Sequence, residues 1–379
     1  RYSMRAVYGV NAGDVYWAAS DVGWVVGHSY MVYGPLLAGC TTVMYEGKPV
    51  GTPDAGAYWR LIDRHRVNVL FTAPTAIRAI KREDPEGRRL EGTTLGSLRA
   101  VFLAGERSDP DTVQWLERRL ARPVIDHWWQ TETGWPVTGL CLGLGSRPAR
   151  VGSAGLAVPG YDVRALDAEG APLPAGETGA LAIRWPLPPG CATTLWGDPD
   201  GFRRAYLERF PGWYATGDGG HVDADGYVHV MGRIDDVINV AGHRLSTGEI
   251  EEVVAAHPAV AECAVIAVPD AIKGHVPLAL VTLKAGTTLT PTEASREIVA
   301  RVRHDVGAVA SLRTCVVVSR LPKTRSGKVL RATMRRIAAR EPWTVPPTIE
   351  DPDVLDEIAR ALAALDAEGA LDAASRRNA

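Results

Sequence analysis

The stretch from Leu321 to Arg331, LPKTRSGKVLR, places a glycine and a lysine side by side between an apolar run and a helical pattern. A phosphate-binding P-loop has a glycine five residues before its Gly-Lys pair and Ser or Thr directly after it, because backbone amides wrap the phosphates and the hydroxyl reaches magnesium. This chain has Pro322 and Val329 at those positions. The pair is therefore not a P-loop, and the exposed Lys328 on its glycine hinge needs another role.

A second candidate site is the stretch from Asp126 to Trp135, DHWWQTETGW, which follows a predicted parallel strand. Ligands bind at the carboxyl ends of the strands in open α/β sheets. Glu132 can ligate Mg²⁺ that carries phosphates, because this hard cation prefers carboxylate and phosphate oxygens. The alternative is an aromatic core plug with a solvated turn. The polar run from Gln130 to Thr133 suits neither and favours a functional site.

Four further stretches are weak signals when taken singly. Asp218 ends YATGD and can accept hydrogen bonds from a ribose, although Thr-Gly-Asp is also an ordinary turn. Gly105 in AGER lets a purine lie against the backbone, although glycine after a strand is common. Arg233 and Arg244 in GRIDDVINVAGHR offer planar guanidinium groups to phosphate, or are surface charges on a linker. The stretch SDVGWVVGHSY is either plain core or one wall of a small apolar pocket.

The elements that must position these residues follow from the periodicity. Apolar strands alternate with amphipathic helices from CTTVMY to PVIDHWW, which predicts an α/β fold with a parallel sheet. From Val151 short strands with Gly and Pro turns predict an antiparallel or barrel-like region. A compact α+β pattern follows, with a capping-box signal at Ser246 and Glu249. We predict domains at 1–234 and 235–342, and a partly disordered extension at 343–379.

Composition excludes several classes of function. The 379 residues carry 42 basic and 44 acidic side chains, a net charge of −2, so no overall field favours nucleic acid or a membrane surface. The five cysteines are scattered without metal-ligand spacing, which indicates neither disulfides nor zinc. No apolar run is long enough to span a bilayer and no signal peptide opens the chain. We expect a cytoplasmic protein that acts on small molecules.

The order of the motifs is far more specific than any one of them. SDVGWVVGHSY, AGER, DHWWQTETGW, YATGD, GRIDDVINVAGHR and LPKTRSGK follow one another as in the acyl- and aryl-CoA synthetases of the adenylate-forming superfamily. The sequence resembles the short-chain members most, namely acetyl-CoA and especially propionyl-CoA synthetases. The resemblance implies part of a large domain, with parallel sheets and a β-rich subdomain, followed by a small mobile α+β domain that swings between two half-reactions.

The resemblance implies ATP, Mg²⁺ and coenzyme A as cofactors. A carboxylate attacks the α-phosphate of ATP to give an acyl adenylate and pyrophosphate, and the CoA thiol then displaces AMP. The implied catalytic residues are Lys328, Thr131 and Glu132, the last also binding Mg²⁺, with the hinge at Asp235. The implied nucleotide-binding residues are Gly105, Glu106, Asp126, Trp128, Gln130, Thr131, Asp218, Arg233 and Arg244, and the implied CoA-binding residues are Ala241, Gly242 and Arg303.

The resemblance places the acyl group in a pocket formed by Val25, Val26, Ala104 and Trp129. The bulky Trp129 excludes long chains. Acetate-specific relatives tend to have Thr at the position of Val26 and Val at that of Ala104, so this pocket favours propionate over acetate. The preference is modest, because one methylene is worth roughly 0.8 kcal/mol and seldom discriminates beyond about 10- to 200-fold.

One feature departs from the family pattern: the Ser/Thr/Gly-rich phosphate loop expected upstream of GDVYW has no match. We therefore expect an N-terminally truncated chain with little or no adenylation activity. The alternatives are an acetate–CoA ligase, an adenylation domain that loads a carrier protein, and a non-catalytic binding module. The exposed Lys328 also suggests lysine acylation and deacylation enzymes as partners, because acylation removes the charge that adenylation needs.

Overall fold

The computed structural model describes residues 1–106, 108, 110–145, 147–241, 243–284, 286–324 and 328–367, of which residues 235, 239, 243, 244, 366 and 367 are described by their backbone alone. The chain divides into two compact units, Arg1–Met231 and the residues from Gly232 onward. This division lies three residues before the boundary expected at Asp235. No helix of the described residues combines the length and the apolarity that crossing a membrane requires.

The first part of unit 1 alternates strands and helices. Its elements are α1 (Tyr2–Ala6), β1 (Val15–Ala19), a π-helix (Gly27–Tyr33), α2 (Gly34–Ala38), β2 (Thr41–Thr42), α3 (Ala57–His65), β3 (Val69–Thr72), α4 (Pro74–Glu83), a 3₁₀ helix (Arg88–Leu90), β4 (Ala100–Leu103), α5 (Pro110–Leu120) and β5 (Val124–Asp126). The strands form one parallel sheet in the order β2-β1-β3-β4-β5. The predicted α/β fold with a parallel sheet is confirmed.

The two faces of this sheet belong to two separate hydrophobic clusters. Successive strand residues point to opposite faces, so Tyr16 and Phe71 lie in one cluster while Trp17 and Leu70 lie in the other. Helices α3, α4 and α5 cover the Trp17 face with buried apolar side chains. The cluster on the opposite face, which contains Tyr16 and Phe71, is here called the site-side cluster. It also includes Tyr30 of the π-helix and buried residues of the β-rich part of the unit.

The second part of unit 1 is β-rich. Its elements are β6 (Thr138–Gly139), a 3₁₀ helix (Leu142–Leu144), β7 (Leu156–Ala157), β8 (Val163–Leu166), β9 (Gly179–Arg184), α6 (Pro199–Tyr206), β10 (Trp213–Val222) and β11 (Val228–Arg233). The last of these strands extends two residues beyond the end of unit 1 at Met231. Four strands form a sheet in the order β11-β10-β9-β8, in which β8, β9 and β10 pair antiparallel. Of the two arrangements predicted beyond Val151, the antiparallel one is the one that forms.

Unit 2 is a small α+β unit with helices on both faces of one sheet. Its elements are a 3₁₀ helix (Ile234–Asp236), β12 (Val237–Val240), β13 (His243–Ser246), α7 (Thr247–Ala255), β14 (Val260–Asp270), β15 (Gly274–Leu283), α8 (Pro291–Asp305), a 3₁₀ helix (Ala308–Ala310), β16 (Cys315–Val317), α9 (Arg331–Ala338) and α10 (Asp353–Ala367). The strand order is β13-β12-β15-β14, with β16 parallel to β15. Helices α7 and α8 pack on one face, and α9 and α10 on the other.

The C-terminal segment that we expected to be an extension contributes to the core of unit 2. Leu355 and Ile358 of α10 are fully buried and pack in the same cluster as Met334 of α9. Residues 368–379 lie outside the described residues.

The predicted capping box at Ser246 is wrong in its hydrogen bond. Ser246 is the N-cap residue of α7, but its side chain does not cap the helix. The residue also ends β13, where it pairs with Val237 and is buried. A complete capping box forms instead between Thr290 and Glu293 at the start of α8.

Candidate active site

Two of the candidate stretches leave the parallel sheet side by side. Leu103, the last residue of β4, lies opposite Asp126, the last residue of β5, so AGER and DHWWQTETGW begin at neighbouring carboxyl ends. Gly105 is exposed with φ +107, and apart from its two chain neighbours none of the described residues places a heavy atom within 4 Å of where its Cβ would be. A flat ligand can therefore approach the backbone here. The side chain of Glu106 is ion-paired with Arg78 of α4.

Asp218 lies in a bulge of β10. The register steps by four residues on β10 and by two on β9 across this point, and Gly217 adopts a left-handed φ of +73. A bulge re-aims the side chains that follow it, and glycine takes this conformation without strain. Asp218 is 7% exposed, although its strand lies in an open sheet.

Uncharged donors from the DHWWQTETGW stretch hold this carboxylate. Trp128 Nε1 donates to Asp218 Oδ2 at 2.9 Å, and Gln130 Nε2 donates to the same oxygen at 2.7 Å. Gln130 Nε2 also donates to the Thr216 carbonyl at 2.7 Å, and the Tyr214 hydroxyl donates to Gln130 Oε1 at 3.2 Å. Charge-assisted bonds of this kind stabilise an ionised acid away from water. The carboxylate of Asp126 accepts from the Ser108 backbone N–H at 3.4 Å.

A tyrosine pair extends this network to Glu132. The Tyr206 hydroxyl donates to Glu132 Oε1 at 2.7 Å, and its ring stacks on Tyr214 with 5.1 Å between centroids and 10° between planes. Burial, and next the charge of Glu132, raise the pKa of Tyr214, so this tyrosine remains a neutral donor. Glu132 is half-buried and the neighbouring Thr131 is exposed. The hydrogen bonds and the ring stack thus form a continuous chain from Glu132 to Asp218.

His127 anchors the start of this loop in the core. It is 1% exposed, its Nδ1 is 2.7 Å from the Leu103 carbonyl and its Nε2 is 3.0 Å from the Tyr8 hydroxyl. A carbonyl only accepts, so Nδ1 carries the proton and Nε2 accepts from tyrosine. Burial lowers the pKa of His127 to about 4, and the imidazole is therefore neutral at physiological pH.

Three of the four predicted acyl-pocket residues meet in the site-side cluster. Val26 and Ala104 are buried members of it, and Trp129 packs against it. The Trp129 ring stands perpendicular to Tyr30, with 5.4 Å between centroids. Val25 is half-buried and is not a member of this cluster.

The π-helix that carries Tyr30 depends on a glycine at each end. A Cβ on Gly27 would lie 2.2 Å from the Val22 carbonyl oxygen, and one on Gly34 would lie 2.5 Å from the Ser29 carbonyl oxygen. Any other residue would force the backbone apart. Ser29 within the π-helix donates to the Gly134 carbonyl at 2.8 Å and so ties this wall to the DHWWQTETGW stretch.

In unit 2, Lys328 is exposed, and two hydrogen bonds join it to Thr324. The Thr324 N–H donates to the Lys328 carbonyl at 2.8 Å, and the Lys328 N–H donates to Thr324 Oγ1 at 3.1 Å. A β-bridge joins Lys323 and Val329 on either side. We call Lys323, Thr324, Lys328 and Val329 the Lys328 base; Gly327 lies outside the described residues.

The predicted CoA-binding residues lie at separate points of unit 2. Ala241 is exposed, has φ +50 and occupies the two-residue turn between β12 and β13, where positive φ is required. Its N–H donates to the Lys273 carbonyl at 3.0 Å. Arg303 is exposed in the last turn of α8. Gly242 lies outside the described residues.

Three predicted residues lie near the start of unit 2. Arg233 is exposed at the end of β11. The backbone of Asp235 is in the 3₁₀ helix Ile234–Asp236, and that of Arg244 is in β13.

Two family models match successive parts of the chain. Residues 1–190 match the AMP-binding enzyme model, and residues 249–328 match the AMP-binding enzyme C-terminal domain. The chain belongs to the AMP-binding enzyme family.

Curated relatives of this AMP-binding enzyme include short-chain acyl-CoA synthetases. Acyl-CoA synthetase short-chain family member 3, mitochondrial, of Mus musculus is 51% identical over 95% of this chain and 53% of its own length. Propionate–CoA ligase of Salmonella typhimurium is 46% identical over 95% of this chain and 58% of its own length. The chain thus spans little more than half the length of these relatives.

Solved structures agree with this assignment. The anthranilate CoA ligase AuaEII, crystallised with anthranoyl-AMP, has a TM-score of 0.73 and 28% identity, and the match covers 89% of this chain and 62% of that one. The predicted relationship to the adenylate-forming enzymes is confirmed.

The residues of this AMP-binding enzyme fit a nucleotide with Mg²⁺. The open space at Gly105 can admit a base, and Asp218 supplies an oriented acid. Glu132 and Thr131 offer hard oxygen donors. Across the described residues there is no group of three or more His, Cys, Asp or Glu that could hold a metal ion. The single carboxylate of Glu132 suits Mg²⁺, which typically uses one or two carboxylates plus substrate phosphates and waters.

Sequence reasoning missed the tyrosines that link the two acids of this AMP-binding enzyme. Tyr214 lies within YATGD at a spacing of four from Asp218, and period-2 alternation could have placed both on one face of a strand. Tyr206 gave no such signal, because it ends a helix and contacts Glu132 across 74 residues of sequence.

Proposed function

We propose that the chain carries the nucleotide and acyl sites of a ligase that joins a short-chain acid to coenzyme A at the expense of ATP. In the first step a carboxylate oxygen attacks the α-phosphorus, a P–O bond forms, the α–β anhydride bond breaks and pyrophosphate leaves. In the second the CoA sulfur attacks the acyl carbon, a C–S bond forms, the acyl C–O bond breaks and AMP leaves. The chain covers little more than half the length of these relatives, and the proposal is for the whole reaction.

One observation carries this proposal most: Asp218 of YATGD is bonded to Trp128 and Gln130 of DHWWQTETGW. Two motifs far apart in sequence therefore build one acid site at the edge where α/β sheets bind ligands. Asp218 would hold the ribose and Glu132 the Mg²⁺, which when bound neutralises phosphate charge. Gly105 and Glu106 would border the base.

We propose propionate as the preferred acid, with acetate as the second candidate. Val26 and Ala104 are small apolar members of the site-side cluster, and Trp129 packs against the same cluster. The relative from Salmonella typhimurium is named propionate–CoA ligase. Val26→Thr with Ala104→Val narrows the pocket and should shift the ratio of kcat/KM for propionate to acetate towards acetate by roughly tenfold or more.

The test is ATP-dependent thioester formation with acetate, propionate and butyrate, on this chain alone and on the complete product of its gene. The proposal predicts activity that is highest with propionate in at least one of the two. If both bind ATP but form no thioester with any of the three acids, the non-catalytic binding module replaces it. Equal kcat/KM for acetate and propionate would reject the pocket argument alone.

Lys328 is the residue proposed to act in the first step. Its compact charge can offset the charge that develops as the carboxylate attacks the α-phosphate. Its exposure suits a residue that a moving domain delivers, with the proposed hinge at Asp235. Lys328→Gln should lower acid-dependent ATP–pyrophosphate exchange by about 100-fold or more and spare thioester formation from supplied acyl adenylate. Equal loss of both would contradict this role.

The exposure of Lys328 also makes it accessible to lysine acylation and deacylation enzymes, which we propose as partners in a cytoplasmic setting. Acylation neutralises the ammonium group and should mimic Lys328→Gln. Mass spectrometry of the protein purified from its host, before and after treatment with a deacylase, would detect the modification. Removal of the acyl group should restore the first step.

A further inference from the structure

Both flanks of the Lys328 base are tied by ion pairs to acids on neighbouring elements of unit 2. We propose that Glu251 and Glu262 are positioning residues, which fix the base so that Lys328 reaches the acid and the α-phosphate. This inference rests on the proposed function. It assigns a role to two side chains that act on Lys328 through their pairs with Lys323 and Arg331.

Glu251 is a joint between three elements. Its two carboxylate oxygens accept from Arg331 Nε at 2.9 Å and from Arg331 Nη2 at 2.8 Å, and Oε1 also accepts from the Val265 N–H at 2.7 Å. Glu251 lies on α7, Val265 on β14, and Arg331 opens α9 three residues after Lys328. A shift of the Glu251 side chain would therefore move Arg331, the first residue of α9.

Glu262 holds the other flank. Lys323 Nζ donates to Glu262 Oε1 at 2.6 Å, and Glu262 belongs to β14, as does Val265. The backbone of Lys323 and Thr324 is also bonded to the segment before α10. The Glu350 N–H donates to the Lys323 carbonyl at 2.9 Å, and Thr324 forms a β-bridge with Ile349. One flank of the Lys328 base is thus tied to β14 directly through Glu262, and the other is tied to it through Glu251, which also accepts from Val265 of β14.

These pairs differ from ordinary surface ion pairs, which contribute little to stability. The side chains of Arg331 and Glu251 are 25% and 16% exposed, and their contact is bidentate, the geometry that best fixes a guanidinium group. Removal of the acid would leave the Arg331 charge half-buried without this partner. The pair is therefore placed to define a geometry and not only to add stability.

The placement matters because a displacement of about 1 Å at a reacting group can lower a rate by up to about 100-fold. Lys328 acts only in the first half-reaction under the proposed function. A loosened base should therefore slow adenylation and leave thioester formation from supplied acyl adenylate unchanged. A purely structural role for the ion pairs would lower both half-reactions or neither.

The experiment compares Glu251→Gln and Glu262→Gln with the wild type in both half-reactions, with each substitution made in the complete product of the gene. Glutamine keeps the shape and one acceptor oxygen, and thermal melting checks that each variant is folded. We expect adenylation to fall by about tenfold to a hundredfold for Glu251→Gln, and by less for Glu262→Gln, whose pair is more exposed. Unchanged adenylation, or an equal fall in both half-reactions of a folded variant, would overturn the proposal.

Glu357→Gln is the matched control, because it also breaks an arginine–carboxylate pair within unit 2. Arg320 Nη2 is 2.7 Å from Glu357 Oε1, on α10 and outside the Lys328 base. Both half-reactions should remain at wild-type rates in this variant. A loss of adenylation equal to that of Glu251→Gln would show a general effect of charge and would overturn the proposal.

A double-mutant comparison separates positioning from stability. In a Lys328→Ala background Glu251→Gln should cause no further loss of adenylation, because the group that it positions is gone. An additional loss as large as in the wild-type background would assign Glu251 a role independent of Lys328.

A second readout needs no catalytic activity and so separates this inference from the proposed function. The Lys328 N–H is bonded to Thr324 Oγ1, and its hydrogen exchange, followed by NMR, reports opening of the base. Exchange should accelerate at least several-fold in Glu251→Gln and stay unchanged in Glu357→Gln. Faster exchange in a protein without ligase activity would reject the proposed function but retain the role of Glu251 in fixing the Lys328 base. Unchanged exchange would reject that role.

Discussion

The Asp218 site in unit 1 and the Lys328 base in unit 2 are stabilised in opposite ways. Asp218 is 7% exposed and is held by uncharged donors, Trp128 and Gln130. Lys328 is exposed, and its base is held by charged pairs at Glu251 and Glu262. The first arrangement fixes the charged group itself, whereas the second fixes only the backbone that carries it.

The difference follows from what each group must do. A buried carboxylate needs hydrogen-bond donors because an uncompensated charge away from water is costly. A lysine that must reach a substrate has to keep its ammonium group free to move. Its position is therefore fixed through the Lys328 base and not through the ammonium group. Disturbing the buried network should therefore cost more than disturbing an exposed pair.

The largest effect is expected from Asp218→Ala. The variant removes the shared acceptor of Trp128 Nε1 and Gln130 Nε2 and leaves both donors without it. Affinity for ATP should fall by about 100-fold, or roughly 3 kcal/mol, measured by isothermal titration calorimetry. Asp225→Ala, at an exposed acid paired with Arg150, is the control and should bind ATP as the wild type does.

Next in size is a loss of stability in acid caused by His127. Its folded pKa of about 4 lies below the unfolded value near 6.5, so between these values the unfolded chain binds a proton that the folded chain does not. Stability should therefore fall as pH drops through this window, by roughly 2 kcal/mol between pH 7.5 and pH 5. Urea unfolding at the two pH values measures it.

The control for this pH effect is a matched substitution at an exposed histidine. His127→Gln should remove most of the acid-dependent loss of stability, whereas His65→Gln, in the last turn of α3, should leave it intact. A step of the same size in His127→Gln would assign the acid sensitivity to another group.

A smaller effect is expected from Tyr206→Phe, which deletes one hydroxyl and keeps the ring stack on Tyr214. Glu132 would lose a donor of the kind worth about 1.5 kcal/mol when the acceptor is charged. The KM for Mg·ATP should rise by roughly tenfold while the melting temperature changes little. An unchanged KM would show that Tyr206 does not orient Glu132.

The smallest effect is expected from Glu357→Gln, which breaks a solvent-exposed ion pair with Arg320. Hydrogen bonds from Arg320 and Ser319 lower the pKa of Glu357 to about 2, yet the pair faces solvent, where salt screens it. The melting temperature should drop less than in Glu251→Gln, and the difference from wild type should vanish in high salt. If high salt left the drop in melting temperature unchanged, the Arg320–Glu357 pair would have to be shielded from solvent, as the Asp218 network is.

Local patterns in the sequence were sufficient for the elements and for the family. The alternation of apolar strands with amphipathic helices predicted the parallel sheet, because the strands of such a sheet are joined by helices that cover its faces. The order of the motifs pointed to the family that the comparisons show. The same local reasoning failed at Ser246, which occupies the N-cap position but does not cap, because its strand pairing with Val237 lies outside any local pattern.

The sequence by itself thus determined which residues can do chemistry and which elements carry them. Only the tertiary structure decided which of them meet. Gln130 reaches Asp218 across 88 residues, Tyr206 reaches Glu132 across 74, and Arg331 reaches Glu251 across 80. Each contact depends on a bulge, a helix end or a strand register set by the packing of distant segments, whereas periodicity reports only on the backbone near each residue.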